Sequence, residues 1–257
     1  MIRKRLIPIL LIEGTGLVKT QKFAQAKYVG DPRNAVKIFN EKQVDELCIL
    51  DIQATRLGIG PQFELIEEMV SEAFMPISYG GGITTLNEIG KLIRLGVEKV
   101  VLNSILFTNP SLVQKAAEVF GNQSIIVSVD IKFNTNFLRK GHFVYSQSGR
   151  KRMGFNVFDF IDRVVKLGAG ELLINSIDRD GMRQGMDVDF IEKVVSKVSV
   201  PVVCCGGIGS ENDIIEVFKK TKVAAIAAGS FFVFSGKHRA VLISYPNYDF
   251  FKNLMHV

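Results

Sequence analysis

The chain has 257 residues, of which 47% are hydrophobic and 23% charged, and its formal net charge is +6. This composition excludes disorder, a collagen-like repeat and a small disulfide-held fold, because it supplies enough apolar residues for a large core. The basic residues are scattered and no nucleic-acid motif is present, so anionic small ligands account for the charge. The three cysteines lie in apolar runs, which predicts reduced, buried thiols and a cytoplasmic location.

The N-terminal segment has the basic start (Arg3–Arg5) and the apolar run of a signal peptide. However, Glu13 and Gly14 follow the run without a small-residue cleavage site, and the run is too short to cross a bilayer. We interpret the segment as the first buried strand and expect no membrane-spanning segment.

Eight short apolar runs follow one another along the chain, with amphipathic segments between them. None of the runs alternates between apolar and polar residues, which is typical of parallel strands buried on both faces. The runs are Leu6–Ile12, Leu47–Ile52, Met75–Tyr79, Lys99–Leu102, Ser124–Asp130, Leu172–Ile174, Val200–Cys204 and Val223–Ala228.

The segments between the runs carry helix-start signals. Asp31 and Asn109 each precede a proline, and Thr85 with Glu88 has the spacing of a capping box. Strand–helix alternation repeated eight times in about 250 residues predicts an α/β fold, a single (β/α)8 TIM barrel over residues 1–257. A doubly wound open sheet is the competing fold.

An internal repeat divides the chain into two halves. Met75–Ile83 reappears as Val200–Ile208, and Asn103–Phe107 reappears as Gly229–Val233, each roughly 125 residues later. We therefore predict two homologous half-barrels. Their approximate boundaries are residues 1–122 and 123–257.

Glycine and serine residues end four of the predicted strands, on the side where barrel loops build active sites. Backbone N–H groups beside glycine can approach a phosphate closely, and a following helix adds its positive N-terminal dipole. Because the four ends form two matched pairs, we predict two phosphate sites across the mouth and a ligand phosphorylated at both ends. A tight structural turn is the alternative for any single pair. The pairs are Gly80–Gly82 with Asn103 and Ser104, and Gly206 and Gly207 with Gly229 and Ser230.

Acidic residues also end the predicted strands, namely Asp51, Asp130 and those of the loop 176–181. Carboxylates around a confined mouth suit proton transfer, because confinement raises their pKa values towards neutrality. Asp130 is the strongest candidate, whereas Asp51 has the alternative role of capping a helix or orienting a loop. The three histidines fit no metal spacing and are expected at the surface, so we predict neither a metal nor a cofactor.

Four charged residues mark the opposite, N-terminal face of the predicted barrel. Each lies at the beginning of an apolar run, and two positive and two negative side chains can form a closed ring of salt bridges. Stability is the ordinary role of charges on this face. The four are Arg5, Glu46, Lys99 and Glu171.

The motifs, taken in order and spacing, resemble the cyclase subunit of imidazole glycerol phosphate synthase, the HisF-like family, over nearly the whole chain. In that family a glutaminase partner docks on the N-terminal face as a heterodimer. Ammonia passes through the barrel to a doubly phosphorylated ribonucleotide at the mouth. The motifs are Ile-Leu-Asp-Ile around Asp51, Tyr-Gly-Gly-Gly-Ile, Asn-Ser, Val-Asp-Ile-Lys at 129–132, Ser-Ile-Asp-Arg-Asp-Gly and Gly-Gly-Ile-Gly.

The resemblance also implies roles for individual residues. Lys19 resembles the lysine of the family's lid loop, and Asp130 resembles one of two catalytic aspartates. The remaining implied sites are a phosphate site at Gly82, Asn103 and Ser104, a second at Asp180, Gly181, Gly207, Gly229 and Ser230, and an ammonia gate formed by Arg5, Glu46, Lys99 and Glu171.

One departure concerns the family's other catalytic aspartate, which ends the first strand, where this chain has Leu11. Leucine cannot transfer a proton, and Glu13, on the same side of the strand, is the one candidate substitute. The tail 234–246 also resembles a paralogous group associated with sugar amidation for bacterial surface polysaccharide.

Three functional hypotheses follow. The chain is a cyclase-like, ammonia-using subunit of a glutamine amidotransferase for sugar amidation, a histidine-biosynthesis cyclase, or a non-catalytic module that conducts ammonia or activates its partner. Leu11 argues against the second hypothesis, and the two phosphate sites argue against the third. A phosphorylated-ribose isomerase is a further alternative, but it would need no charged ring on the N-terminal face of the barrel.

Overall fold

The computed structural model describes residues 4–136, 140–247 and 250, so Arg3 and His256 lie outside the described residues. Eight parallel strands close into a barrel with helices between them, which confirms the predicted (β/α)8 fold. The barrel strands are β1 (Arg5–Glu13), β4 (Leu47–Asp51), β5 (Ile77–Gly80), β6 (Lys99–Leu102), β7 (Ile125–Asn134), β10 (Glu171–Ser176), β11 (Val202–Cys205) and β12 (Ala225–Ala228). The ring closes because β1 pairs with both β12 and β4, and β7 pairs with both β6 and β10.

Four of the strands, β5, β7, β11 and β12, begin one or two residues later than their apolar runs, and two of the four follow a proline. Pro76 and Pro201 precede β5 and β11, and proline has no N–H group to donate to the ladder. Their carbonyl oxygens still take part, accepting hydrogen bonds from the amides of Leu47 and Leu172. The apolar pattern located these strands, and proline moved their starts.

The helices begin where the capping signals indicate, with one exception. The Asp31 side chain accepts a hydrogen bond from the Asn34 amide, and Thr85 and Glu88 form a complete capping box. The helix after Asn109 begins at Ser111, one residue later than predicted. The helices are α1 (Pro32–Glu41), α2 (Ala54–Leu57), α3 (Phe63–Ser71), α4 (Leu86–Arg94), α5 (Ser111–Phe120), α6 (Val157–Lys166), α7 (Val188–Val195), α8 (Glu211–Lys220) and α9 (Ser230–Val233). None in the described ranges is long and apolar enough to cross a membrane.

The core has two layers, one between the strands and the helices and one inside the barrel. Successive side chains of a strand point to opposite faces, so alternate residues fill the lumen. All three cysteines are free and buried. The lumen layer consists of Ile7, Ile9, Cys48, Val101, Ile126, Leu173, Val203, Cys205, Ala225 and Ala227, with Leu11 and Leu50 packed against it.

Two β-hairpins that the sequence analysis did not predict extend from the C-terminal ends of β1 and β7. The first is antiparallel to the end of β1, and the second pairs with the part of β7 that extends beyond the barrel. A short ribbon lies near the C-terminal end. These strands are β2 (Gly16–Gln21), β3 (Ala24–Gly30), β8 (Gly141–Ser146), β9 (Lys151–Asn156), β13 (Phe234–Ser235) and β14 (Ala240–Val241).

Candidate active site at the barrel mouth

A cavity of about 1060 Å³, including space open to solvent, occupies the C-terminal mouth of the barrel. Lumen-facing residues at the strand ends form its floor, among them Asp130, Asn175 and Cys205. The first hairpin contributes Lys19, Thr20 and Phe23, and the second contributes Ser148. The barrel thus brings together polar groups from both halves of the chain.

Asp130 lies at the lumen-facing end of the barrel part of β7 and is 7% exposed. Its Oδ2 atom accepts a hydrogen bond from Asn103 Nδ2 at 3.1 Å, and its Oδ1 atom accepts one from Ser128 Oγ at 3.4 Å. Burial raises the pKa of the Asp130 carboxyl to about 7, although both donors act to lower it. A carboxyl group that titrates near neutral pH can both accept and donate a proton during a reaction.

Lys19 projects from β2 into the mouth and is 5% exposed. Its Nζ atom donates a hydrogen bond to the carbonyl oxygen of Ile9. A Cβ atom on Gly229 would overlap Nζ, so glycine there allows the lysine to lie against β12. Burial lowers the pKa of Lys19 to about 8, while the Asp180 carboxylate opposes that effect. The predicted lid lysine is therefore held inside the mouth.

The tips of the two hairpins meet over the cavity. Lys22 and Phe23 in one tip, and Gln147 and Ser148 in the other, all have φ between 52° and 59°. In the first hairpin, where Gln21 pairs with Ala24, such paired left-handed residues are typical of a two-residue turn that matches the twist of the strands. A Cβ atom on Gly149 would lie 2.9 Å from the Phe23 ring, so the tips are in direct contact. Together they cover part of the mouth.

The first predicted phosphate group lies on the cavity wall. Gly82, Asn103 and Ser104 all line the cavity. Gly82 has a φ of +68°, and a Cβ atom there would overlap the carbonyl oxygen of Ile59. Ser104 Oγ accepts a hydrogen bond from the Gln147 amide at 3.1 Å. Glycine at position 82 is therefore required by the backbone, and phosphate binding at this group stays a prediction.

The second predicted phosphate group is divided by the fold. Asp180 and Gly229 line the cavity, whereas Gly181, Gly207 and Ser230 lie outside its lining. A Cβ atom on Gly207 would overlap the carbonyl oxygen of a neighbouring loop residue, and one on Gly181 would overlap that of a residue in β2. These glycines allow close chain packing in the structure, and their binding of phosphate also stays a prediction.

Asp180 joins the first hairpin to the barrel mouth. Its Oδ2 atom accepts hydrogen bonds from Thr20 Oγ1 at 2.7 Å and from the Phe23 amide at 3.2 Å. Burial raises the pKa of the Asp180 carboxyl, and these donors together with Lys19 act against the rise. Asp180, which was predicted to belong to a phosphate site, thus holds the hairpin tip in place through its carboxylate.

Asp51 has the capping role that the sequence analysis left as its alternative. Its Oδ1 atom accepts hydrogen bonds from the amides of Gln53 and Ala54, both at 2.9 Å, at the start of α2. Its Oδ2 atom accepts one from Gln62 Nε2 at 2.9 Å. Both carboxylate oxygens are engaged by the protein, although the residue lines the cavity.

Leu11 lines the cavity at the end of β1, where the family resemblance implies a catalytic aspartate. Glu13, the candidate substitute, is turned away and is not part of the lining. Its Oε1 atom accepts a hydrogen bond from Gln53 Nε2 at 2.6 Å and lies 3.9 Å from Arg56 Nη2. Glu13 is therefore held outside the cavity by these two partners.

Asn175 is a polar residue of the cavity floor that the sequence analysis missed. It is 7% exposed, and its Oδ1 atom has no hydrogen-bond partner among the described residues. The signal available in the sequence was spacing, because position 175 lies two and four residues after Leu173 and Glu171, on the same face of β10. Its Cα atom pairs with that of Asp130 across the β10–β7 ladder.

The four charged residues at the N-terminal face form a closed ring of ion pairs, in which each cation contacts both carboxylates. Arg5 Nη1 lies 2.6 Å from Glu46 Oε2, and Lys99 Nζ lies 2.9 Å from Glu171 Oε2. Lys99 also lies 3.3 Å from Glu46, and Arg5 pairs with Glu171. Burial raises the pKa of Glu46, opposed by both cations. The role of this ring as an ammonia gate stays a prediction.

The histidines differ from expectation in one case. His238 is exposed, but His142 is partly buried, with its ring centroid 3.8 Å from that of Phe190 and Nε2 3.2 Å from Asp187 Oδ2. The expected surface position of His142 was wrong, because the second hairpin packs it against α7. The described ranges contain no cluster of three potential metal ligands.

Comparison with known proteins identifies the family to which the chain belongs. The family model described as "Histidine biosynthesis protein" matches residues 5–238. A Pseudomonas aeruginosa protein provisionally named imidazole glycerol phosphate synthase subunit hisF2 is 50% identical over 96% of this chain and 97% of its own length. A Vibrio vulnificus protein provisionally named hisF3 is 46% identical over 96% and 94%. The Staphylococcus aureus subunit HisF is 37% identical over 90% of both chains. The chain therefore belongs to the histidine biosynthesis protein family and is a HisF-like subunit of the imidazole glycerol phosphate synthase type.

Proposed function

We propose that the chain is the synthase subunit of a glutamine amidotransferase that transfers ammonia to a phosphorylated sugar. Ammonia would come from a glutaminase-type partner on the N-terminal face and pass through the barrel. The acceptor would bind in the mouth cavity, where Asp130 transfers protons. The observation that carries the proposal is that the end of β1, where the resemblance implies a second catalytic aspartate, places Leu11 in the cavity that Asp130 lines.

Loss of the second carboxylate argues for a changed reaction. Leu11 lines the cavity at the end of β1, and Glu13 is engaged by Gln53 and Arg56 outside it. A positioned general acid or base contributes about 10²–10⁴-fold to a rate. A ring closure that uses two carboxylates would lose that factor in this site.

Two features support a partner on the N-terminal face. The ring of Arg5, Glu46, Lys99 and Glu171 surrounds the beginning of the lumen with buried charge, which costs desolvation energy that an apolar core would avoid. On the same face, in the loop before β5, Phe74 is 93% exposed. An exposed aromatic side chain of this kind commonly anchors a protein interface.

The glycine-rich strand ends support a phosphorylated acceptor. Gly82 and Ser104 line one side of the cavity, and Gly229 lines the opposite side beside Lys19. Backbone N–H groups at such turns, together with a buried ammonium group, are suited to bind phosphate oxygens.

A histidine-biosynthesis cyclase is the second candidate, favoured by the family match over residues 5–238 and by the 37% identity with the Staphylococcus aureus HisF subunit. The relatives with numbered names, hisF2 and hisF3, are more similar at 50% and 46%, which supports a separate group within the family. A module that only conducts ammonia would not require the buried proton-transfer group at Asp130.

The test measures ammonia-dependent turnover of the family's doubly phosphorylated ribonucleotide and, separately, of candidate phosphorylated sugars. We expect the wild-type protein to leave the ribonucleotide nearly untouched and Leu11→Asp to raise its turnover by about 10²–10⁴-fold. Leu11→Asn is the matched control, because asparagine has the shape of aspartate but no titratable group.

Three outcomes decide between the hypotheses. Wild-type turnover of the ribonucleotide at roughly 1 per second or faster would contradict the proposal and favour the histidine cyclase. An inactive Leu11→Asp variant that still binds phosphate would support a pocket built for another acceptor. Sugar turnover that survives Asp130→Asn would exclude proton transfer by this residue.

A further inference from the structure

A second cavity lies beside the barrel, between the second hairpin and helices α6 and α7. It has a volume of about 920 Å³, including space open to solvent, and none of its described lining residues also lines the mouth cavity. The hairpin contributes Phe143 and Met153 to its walls, and the two helices contribute Phe158 and Phe190. Concave sites of this size with largely apolar walls are typical of small-molecule binding.

An irregularity in the second hairpin opens this cavity. On β8, Phe143 and Tyr145 are two residues apart. Their partners on β9, Asn156 and Arg152, are four apart, so β9 carries two extra residues and bulges at this point. Gly154 lies in the bulge and lines the cavity, and a Cβ atom there would meet no described atom within 4 Å. The space beside Gly154 is therefore large enough to admit a ligand group.

Three cations, and no acidic residue, are found among the described residues that line the cavity. Their side chains form no ion pair within the described ranges, unlike those of the exposed Lys166 and Lys220, which each pair with a carboxylate of the same helix. Unpaired charges of one sign around a cavity attract a ligand of the opposite sign. The three cations are Lys140, Arg152 and Lys193.

Arg152 is held by an aromatic ring and not by a carboxylate. Its guanidinium carbon lies 3.6 Å from the centre of the Phe143 ring, which is a cation–π contact. This contact orients the planar guanidinium group, whose N–H donors remain able to bind two oxygens of one phosphate side by side. His142, the other ionisable lining residue, is instead paired with Asp187 at 3.2 Å. Arg152 is therefore well suited to hold the anionic part of a ligand.

We propose that this second cavity binds a nucleotide, whose phosphate groups contact Arg152 and Lys193 and whose base packs against Phe158. The aromatic walls distinguish a nucleotide from a simple inorganic anion, because every base offers a flat face to an aromatic side chain. The compact cavity fits a small molecule better than an acidic peptide, which requires an extended groove or sheet edge. Since the site is separate from the mouth, the inference does not depend on the proposed function.

Calorimetric titration of the intact chain with ATP tests this inference. Inorganic triphosphate has the same phosphate chain without the nucleoside, and adenosine has no phosphate, so the two are matched probes. We expect saturable binding of ATP and at least about tenfold weaker binding of each partial probe, because stacking and charged hydrogen bonds both contribute. Triphosphate that binds as tightly as ATP would overturn the proposal, as would a glutamate-rich peptide that binds more tightly than ATP.

Substitutions in the second cavity test whether ATP binds there. Gly154→Leu fills the cavity, and the backbone tolerates it because Gly154 does not have a positive φ. This variant and the double variant Arg152→Gln with Lys193→Gln should each raise the Kd for ATP at least about tenfold. Lys115→Gln with Lys219→Gln, at exposed positions on α5 and α8, removes the same net charge and should leave the Kd nearly unchanged.

The mouth, with its predicted phosphate groups, is the competing location for ATP. Backbone amide NMR shifts distinguish the two, and we expect shifts at Gly154 and Lys193 but not at Gly82 and Ser104. Shifts confined to the mouth residues, or an unchanged Kd in a folded variant of the second cavity, would overturn the proposal. Two independent variants keep the test valid if one fails to fold. A failure of sugar turnover, which would refute the proposed function, leaves this binding measurement unaffected.

Discussion

The buried carboxyl of Asp130 should make the stability of this protein depend on pH in a defined direction. Its pKa is about 7 in the folded chain, against about 3.9 in an unfolded one. A group whose pKa is raised on folding stabilises the folded state at low pH, and that contribution is lost as pH rises through the folded value. Ionised Asp130 therefore destabilises the protein at neutral and alkaline pH.

Asp130→Asn removes the ionisation while keeping the local hydrogen bonds. The amide oxygen can accept from Asn103, and the amide NH₂ can donate to Ser128, whose hydroxyl also serves as an acceptor. At about 1.4 kcal/mol per pKa unit, the variant should exceed the wild type in stability by about 1–2 kcal/mol at pH 5 and about 4 kcal/mol at pH 8. In a chain of this size, the larger value corresponds to roughly 10 °C in Tm.

Thermal unfolding followed by circular dichroism at pH 5 and pH 8 measures this difference. Asp162→Asn is the control, since the Asp162 side chain is 64% exposed and its ion pair with Lys166 is worth well under about 1 kcal/mol. The difference in Tm between Asp162→Asn and the wild type should not increase comparably from pH 5 to pH 8. A Tm advantage of Asp130→Asn that stays constant or shrinks with rising pH would refute the argument from burial.

Three further predictions concern the charged ring on the N-terminal face, the glycine turns and the cysteine thiols. Lys99→Met should alter glutamine-dependent turnover of the complex more than ammonia-dependent turnover, and an equal change in both would contradict a gate. Gly82→Ala should unfold at lower temperature than Gly14→Ala. Both glycines have φ near +65°, but only the new Cβ at position 82 meets another atom within 4 Å. An equal fall in Tm for the two variants would mean that backbone strain, and not the steric overlap, sets the cost. The thiols of Cys48 and Cys204 should react with a thiol reagent only after unfolding, since both are buried away from the cavity and burial raises the pKa of each to about 12. Rapid modification of either thiol in the native protein would contradict their burial.

Local sequence patterns are enough to predict the barrel and the strand ends at which its functional candidates lie. Continuous apolar runs separated by capped amphipathic segments satisfy the requirements of parallel strands covered by helices, and that pattern is local. The same logic placed Asp130 at the end of a strand and Lys99 at the beginning of another. Period-two alternation would also have placed Asn175 on the lumen face, had polar residues within apolar runs been followed strand by strand.

The contacts of those side chains depend on the folded barrel and could not be read from local patterns. Glu13 and Leu11 share a face of β1, yet Gln53 and Arg56 draw Glu13 out of the cavity. Likewise Lys19 becomes a buried group because its hairpin folds back over the mouth and β12 offers a glycine against it. Strand periodicity fixes a direction for each residue, but hydrogen-bond partners, burial and pKa arise from segments far apart in the chain. Those contacts exist only once the barrel has closed.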